Sequence, residues 1–235
     1  MSRLPELDLA EIAPLPTNLK WRELERHGSW RPRRTYKPFR AAISAILNLE
    51  TEIFGRLPQP SVEDIKYAIK KESRNAPDEE INLPVAEGLF RHIVENKITG
   101  RAIDVYPMMI ARGEKVTFWT PAVLNVSGCP LVPFFNPRRK QLSELGRRFV
   151  FSMMNERIRV ENPDFSSVKL GIYHFGDENE RGLRIPQLDD DDEYELYDLN
   201  QLEEMISETY SIWTKILEGR TSEARSQSGG SGPLL

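Results

Sequence analysis

The chain has 235 residues, of which 39% are hydrophobic and 29% charged, and its formal net charge is −4. These values exclude a wholly disordered chain and argue against a general nucleic-acid coat. One cysteine, Cys129, excludes an intrachain disulfide, and no run approaches the roughly 18 apolar residues of a membrane span. The first residues are acidic rather than apolar, so we expect no signal peptide and a cytoplasmic protein.

The chain divides into three segments by composition. Residues 1–37 hold prolines at positions 5, 14, 16 and 32 without a sustained apolar period, which predicts an irregular, basic N-terminal arm. A single α/β domain is predicted over 38–219. Residues 220–235 are rich in Ser and Gly and predict a flexible tail.

Three helices are predicted at the start of the domain. The first covers 38–55, with a proline where helices begin and a glycine where they end. The second begins at Ser61, which together with Asp64 resembles a capping box. The polar stretch 74–80 predicts a loop, and a third helix then opens at Asn82.

Strands follow the three helices. β-Branched and aromatic residues over 103–111 and 115–126 predict two strands, and a glycine within 126–129 predicts a hairpin corner. The returning segment 130–135 contains two prolines, which cannot donate to a β-ladder. We therefore expect it to be an edge strand or a strand entered late.

The C-terminal half predicts a basic helix over 142–153, a further strand over 168–175, a short partner at 183–185 and an amphipathic helix over 198–219. The acidic run 189–193 is expected to be solvated. The order of elements indicates an α+β fold: three N-terminal helices, an antiparallel β-meander or hairpin, a basic helix, a further strand and a C-terminal helix.

Charge is strongly sorted along the sequence. Residues 20–40 hold eight cations against two acids, and residues 138–159 hold seven against two. Residues 177–208 hold thirteen acids against two arginines. The basic segments favour binding to a polyanion, possibly a nucleic acid, or to an acidic protein partner, but they could equally be neutralised within the fold by the acidic segment.

The candidate polyanion-binding residues lie in the two basic segments, and two aromatic residues between the cations of the first could stack on bases. The cations are Arg33, Arg34, Lys37, Arg40, Arg138, Arg139, Lys140, Arg147 and Arg148, and the aromatic residues are Trp30 and Tyr36.

Common catalytic signatures are missing. Three dispersed histidines and one cysteine give no spaced metal-ligand set, and no glycine-rich phosphate loop or nucleophile elbow occurs. We therefore expect no metal, no cofactor and a non-enzymatic interaction protein.

The alternative is a divergent metal-dependent nuclease or hydrolase of restriction-endonuclease-like fold, with a non-standard or degenerate site. Pro77-Asp78, followed by Glu95 and Lys97, matches the letters of the P-D…E-x-K pattern in restriction-enzyme-like nucleases. The succession of elements over 84–175 also resembles the core of that class. In such an alignment the acidic positions would fall near Asn125 and on 133–135, which implies a domain that binds rather than cuts.

Overall fold

The computed structural model of the protein describes residues 3–27, 35–50, 55, 57–109 and 115–228. Within these ranges the helices are α1 (Glu6–Ile12), α2 (Thr17–His27), α3 (Lys37–Ile46), α4 (Val62–Glu72), α5 (Ala76–Glu95), α6 (Glu144–Met154) and α7 (Leu199–Ser228). The strands are β1 (Thr99–Ala102), β2 (Met108–Met109), β3 (Lys115–Val116), β4 (Ala122–Val126), β5 (Cys129–Asn136), β6 (Lys169–Phe175) and β7 (Pro186–Asp190). The predicted α+β class is confirmed.

The main sheet is mixed, with the strand order β1-β4-β5-β6-β7. Every neighbouring pair is antiparallel except β5 and β6, which run parallel with Leu131 opposite Lys169. The crossover between these two strands contains α6, a π-helical turn (Asn155–Val160) and a 3-10 turn (Pro163–Phe165). Strands β2 and β3 form a separate two-stranded ribbon.

The sheet separates two hydrophobic clusters, because successive residues of a strand point to opposite faces. On β5, Val132 and Phe134 face the cluster formed with α1, α2, α6 and α7. Leu131 and Phe135 face the cluster formed with α3, α4 and α5. Helices therefore cover both faces of the sheet, and the parallel pair β5–β6 lies at its buried centre.

The hairpin predicted over 126–129 is confirmed between β4 and β5. Ser127 and Gly128 both have positive φ, 52° and 87°, as a tight hairpin corner requires. The side chain of Asn125 accepts a hydrogen bond from the Gly128 N–H at 2.9 Å.

The prediction that 130–135 is an edge strand or a strand entered late was wrong, since β5 already begins at Cys129 and is the middle strand of the sheet. The carbonyl of Pro133 accepts the N–H of Thr120 at 2.7 Å, so its backbone faces the β4 side, past the end of the β4–β5 ladder. Because the N–H and C=O positions of one residue lie on the same side of a strand, β6 needs no donor from Pro133. A proline is therefore tolerated at the centre of this sheet.

The prediction of an irregular arm over 1–37 was wrong where the structure describes it. Pro5 and Pro16 stand immediately before α1 and α2, so these prolines mark helix starts instead of preventing helices. Both helices belong to the core, with Leu9 and Leu24 fully buried. Residues 28–34 lie outside the described ranges.

The predicted loop over 74–80 was also wrong, because α5 begins at Ala76 and holds Pro84 in its interior. The start is capped by Asn75, whose side chain accepts the N–H of Asp78 at 2.9 Å. Asn82 is a buried anchor for α3 instead of a helix start. Its amide oxygen accepts the N–H of Phe39 at 3.0 Å, which fixes the first turn of α3.

Several predicted bounds differ from the observed ones. The first predicted helix ends at Ile46 instead of 55. Of the described residues 103–109, only Met108–Met109 form a strand, and residues 110 and 111 lie outside the described ranges. A short strand was predicted at 183–185, whereas the observed strand, β7, begins at Pro186. Helix α7 continues to Ser228, so residues 220–228 are helical instead of a flexible tail. No helix in the described ranges has the length and hydropathy needed to cross a membrane.

Candidate functional site

Acidic residues that follow β6 lie against the basic segment around α6. Arg139 contacts Asp177 at 2.9 Å and Glu178 at 2.5 Å. On α6 itself, Arg147 donates to the hydroxyl of Tyr194 at 2.8 Å and lies 3.6 Å from the carboxylate of Asp189. The two oppositely charged segments therefore neutralise each other along one seam.

Two further arginines extend this seam by different contacts. The guanidinium of Arg148 lies over the ring of Tyr197, 3.9 Å from its centroid, in a cation–π arrangement. The guanidinium of Arg159 forms two hydrogen bonds with the carboxylate of Asp191, at 2.5 and 3.1 Å. Asp191 is only 8% exposed, so the prediction of a solvated acidic run was wrong at this residue.

The first basic segment is engaged in the same way. Lys20, 1% exposed, pairs with Glu208 on α7, and the hydrogen bond from Lys20 lowers the pKa of that carboxyl. Arg40 contacts Glu6 at 3.2 Å. Many cations that the sequence offered for a partner therefore hold elements of the fold together.

The described members of the predicted site have different surroundings. Arg138 contacts Asp8 at 2.5 Å. Lys37 and Lys140 form no ion pair within the described part of the chain. Tyr36 is half-buried, and its hydroxyl accepts a hydrogen bond from Arg184 at 3.3 Å instead of standing free to stack. Trp30, Arg33 and Arg34 lie outside the described residues.

Sequence reasoning missed the most deeply enclosed arginine. Arg184 is 2% exposed and donates to the carbonyls of Phe175, Gly176 and Pro137 at 2.5–2.8 Å. These carbonyls follow β6 and β5, so one guanidinium joins the ends of both strands. An enclosed arginine is usually paired with a carboxylate, but here backbone carbonyl oxygens accept its hydrogen bonds. The amino-acid composition does not predict such an arrangement.

The residues of the nuclease pattern lie far apart. Asp78 and Glu95 stand at opposite ends of α5, roughly 25 Å from each other at a rise of about 1.5 Å per residue. Burial would raise the pKa of Asp78, but hydrogen bonds from Arg74 and the Thr35 N–H outweigh burial and lower it. Among the described residues, no group of three metal-binding side chains occurs. The nuclease alternative is not supported.

A cavity of about 530 Å³ opens between α1, α2 and the loop that joins β5 to α6. Its lining brings together residues from both basic segments, namely Arg22, Arg26, Arg138 and Lys140. This is the place where the sequence-predicted cations Arg138 and Lys140 meet cations of the other segment.

Three large apolar side chains near the β2–β3 ribbon and the π-helical turn are strongly exposed. Tyr106, Met109 and Val160 are 71%, 57% and 62% exposed. Tyr106 precedes the β2–β3 ribbon, Met109 lies in it, and Val160 ends the π-helical turn. The segment before β2 contacts the turn, because Arg157 of the turn donates to the Tyr106 carbonyl at 2.8 Å.

Comparison with known proteins gives a family. The family model of the sliding clamp-binding bacterial toxin SocB matches residues 7–223. The chain belongs to the SocB family. A curated SocB relative, the DNA replication inhibitor toxin SocB of Caulobacter vibrioides (strain NA1000 / CB15N), is 30% identical over 224 residues. That alignment covers 95% of this chain and 93% of the relative. No solved structure matches the chain.

The SocB match extends from α1 into α7, so it includes the N-terminal helices that the sequence predicted to be an arm. A family described by its binding to a protein supports the prediction of an interaction protein. It gives no support to the polyanion part of that prediction.

Proposed function

We propose that this protein binds a bacterial sliding clamp and inhibits DNA replication through that contact. The observation that carries the proposal is similarity over nearly the whole chain to a replication inhibitor toxin, within a family described as sliding clamp-binding. Sliding clamps act on DNA, so the proposed place of action is the bacterial cytoplasm.

The proposed inhibition is stoichiometric and not catalytic. A protein that acts by occupying its partner needs one copy for each binding site, whereas an enzyme turns over. The separation of Asp78 from Glu95 along α5 favours the first mode, because a metal-dependent nuclease needs its acids within one coordination sphere.

The surface around Tyr106, Met109 and Val160 is the proposed contact with the clamp. Aromatic and methionine side chains are enriched in protein interfaces, and a few such residues usually supply most of the binding energy. When a partner covers side chains as large and exposed as these, apolar surface is removed from water, which favours binding.

The first experiment measures binding of the full chain to a purified bacterial sliding clamp by surface plasmon resonance. We expect a saturable complex and inhibition of clamp-dependent primer extension that titrates with the clamp and is relieved by excess clamp. Inhibition that persists without a clamp, or absence of a complex, would overturn the proposal.

A second experiment tests the proposed contact surface. The double variant Tyr106→Ser, Val160→Ser should weaken clamp binding at least tenfold, because interface aromatic residues commonly cost more than about 1.4 kcal/mol when truncated. Tyr67→Ser is the matched control, since Tyr67 on α4 is 70% exposed. Equal effects of the two variants would exclude this surface as the contact.

Polyanion or nucleic-acid binding through the basic segments stays a prediction. Electrophoretic mobility shift at low salt tests it, with Arg138→Glu, Arg139→Glu as the variant. We expect weak binding at most, because both arginines already contact acids.

A further inference from the structure

The cavity between α1, α2 and the β5–α6 loop is lined by two chemically different sets of side chains. The apolar set consists of Leu7, Ile12, Leu15, Leu19 and Leu142. The basic set consists of Arg22, Arg26, Arg138 and Lys140. Its volume of about 530 Å³ lies within the range of small-molecule sites in proteins.

The three acids in the cavity lining do not fully balance its four lysine and arginine side chains. Asp8 contacts Arg138 at 2.5 Å, and Glu23 lies 3.3 Å from both Arg22 and Arg26. The third acid, Glu11, is turned to the start of α6, where the N–H and Oγ of Ser143 donate to it at 3.0 and 2.7 Å.

Lys140 supplies the surplus positive charge. It forms no ion pair within the described ranges and stands on the rim of the cavity. The neighbouring Arg139 points instead to Asp177 and Glu178, and Arg147 to Asp189. These cations of the same segment are engaged by the acidic segment, whereas Lys140 lines the cavity without an acidic partner in the described ranges.

The loop that carries Arg138 and Lys140 is held rigidly. Asn136 is 1% exposed, and its side chain donates to the Lys140 carbonyl at 3.2 Å and accepts the Arg138 N–H at 3.1 Å. A loop fixed in this way places its cations without a further cost of ordering the loop backbone when a ligand binds.

We propose that this cavity binds a small molecule that combines an anionic phosphate or carboxylate with an apolar body. The anion lies against Arg22, Arg26 and Lys140, displacing the exposed contacts of Glu23, because guanidinium groups bind phosphate and carboxylate in a bidentate manner. The apolar body of the ligand lies against the leucine and isoleucine side chains of the lining. The site is separate from the surface proposed for the clamp.

Isothermal titration of the full chain at low ionic strength tests the proposal. The probes are ATP, octyl phosphate, octanoate and inorganic phosphate. We expect one site per chain for an amphiphilic probe, with affinity at least about tenfold above that of inorganic phosphate and weakened by salt. Octyl phosphate against octanoate distinguishes the two anionic groups. If no amphiphilic probe binds more tightly than inorganic phosphate, the proposal fails.

Matched variants locate the binding. Arg22→Gln, Lys140→Gln should weaken the best probe at least about tenfold. Arg139→Gln is the control, since the side chains of Arg139 and Arg22 are both 58% exposed. Leu19→Asn should weaken the amphiphilic probes and leave inorganic phosphate unchanged. Equal losses with Arg139→Gln would show general charge attraction and overturn the site. Clamp binding by all these variants should be unchanged.

Discussion

Arg159 and Asp191 are joined by two hydrogen bonds between guanidinium and carboxylate, at 2.5 and 3.1 Å. The same carboxylate accepts the N–H of Leu170 at 3.3 Å, and Arg159 also donates to the carbonyl of Val168 at 2.8 Å. The pair therefore ties the π-helical turn to β6 and to the segment that follows β7.

Loss of one member of this pair should be costly. Asp191→Ala leaves the arginine half-enclosed without its carboxylate, and breaking such a pair costs about 3–5 kcal/mol. Asp192→Ala removes the neighbouring exposed contact with Lys169 and should cost less than about 1 kcal/mol. Urea unfolding measures both. Similar losses would contradict a special role for the enclosed pair.

Asp78 should make stability depend on acid pH. Its pKa in the folded protein lies below the ordinary value of 3.8, so its contribution is present above that value and is lost as pH falls through the lower, folded pKa. We expect the stability difference between the protein and Asp78→Asn to shrink on acidification below about pH 4. Urea unfolding across this pH range checks it.

Gly88 should tolerate no side chain. A Cβ atom there would stand 2.1 Å from the carbonyl oxygen of Arg184, a backbone atom that must then move. We expect Gly88→Ala to cost roughly 1–3 kcal/mol. Gly219→Ala on α7 is the control, because a Cβ added there would meet no neighbouring atom within 4 Å. This variant should be up to about 1 kcal/mol more stable to unfolding. Thermal unfolding of the two variants should shift in opposite directions.

The ring of Tyr197 should matter more than its hydroxyl. Tyr197→Phe keeps a ring beneath Arg148 and should retain most of the cation–π stabilisation, whereas Tyr197→Leu removes about 0.5–2 kcal/mol of it. Urea unfolding distinguishes the two. If both substitutions cost the same, the stacked geometry contributes little.

Local signals in the sequence were sufficient where short-range chemistry decides the structure. The capping box of Ser61 and Asp64 forms as predicted, because both partners lie within one helical turn. Helix α7 begins where Asp198 and Gln201 form reciprocal hydrogen bonds, at 2.9 and 3.0 Å. The Gly128 corner follows from the positive φ that the hairpin requires.

Proline was the main source of error, since its effect depends on neighbours that a sequence does not reveal. Pro133 is harmless at the centre of the sheet because β6 pairs on the other side of its backbone. The carbonyl of Pro84, within α5, accepts a hydrogen bond from the distant backbone N–H of Arg184 at 3.1 Å. Pro84 therefore stands inside α5 although its ring removes one helical donor, and the packing of α5 against the rest of the fold overrides the local preference for a helix end.

The candidate site was predictable only as a charge pattern. The sequence showed that cations and acids are sorted, but not that Arg139 and Arg147 would contact the acids while Lys140 would not. That outcome depends on the parallel crossover from β5 to β6, which places the segment after β6 beside the segment after β5. Arg139 and its acidic partners are about forty residues apart in the sequence, so no local sequence periodicity predicts their contact.

The contact between Lys20 and Glu208 spans 188 positions of the chain. During synthesis on the ribosome, the lysine emerges long before the helix that will enclose it. The nascent chain must therefore carry α1 and α2 without their final packing until α7 has been translated, and any prematurely terminated product lacks that packing altogether. Assembly of this core therefore depends on translation of α7.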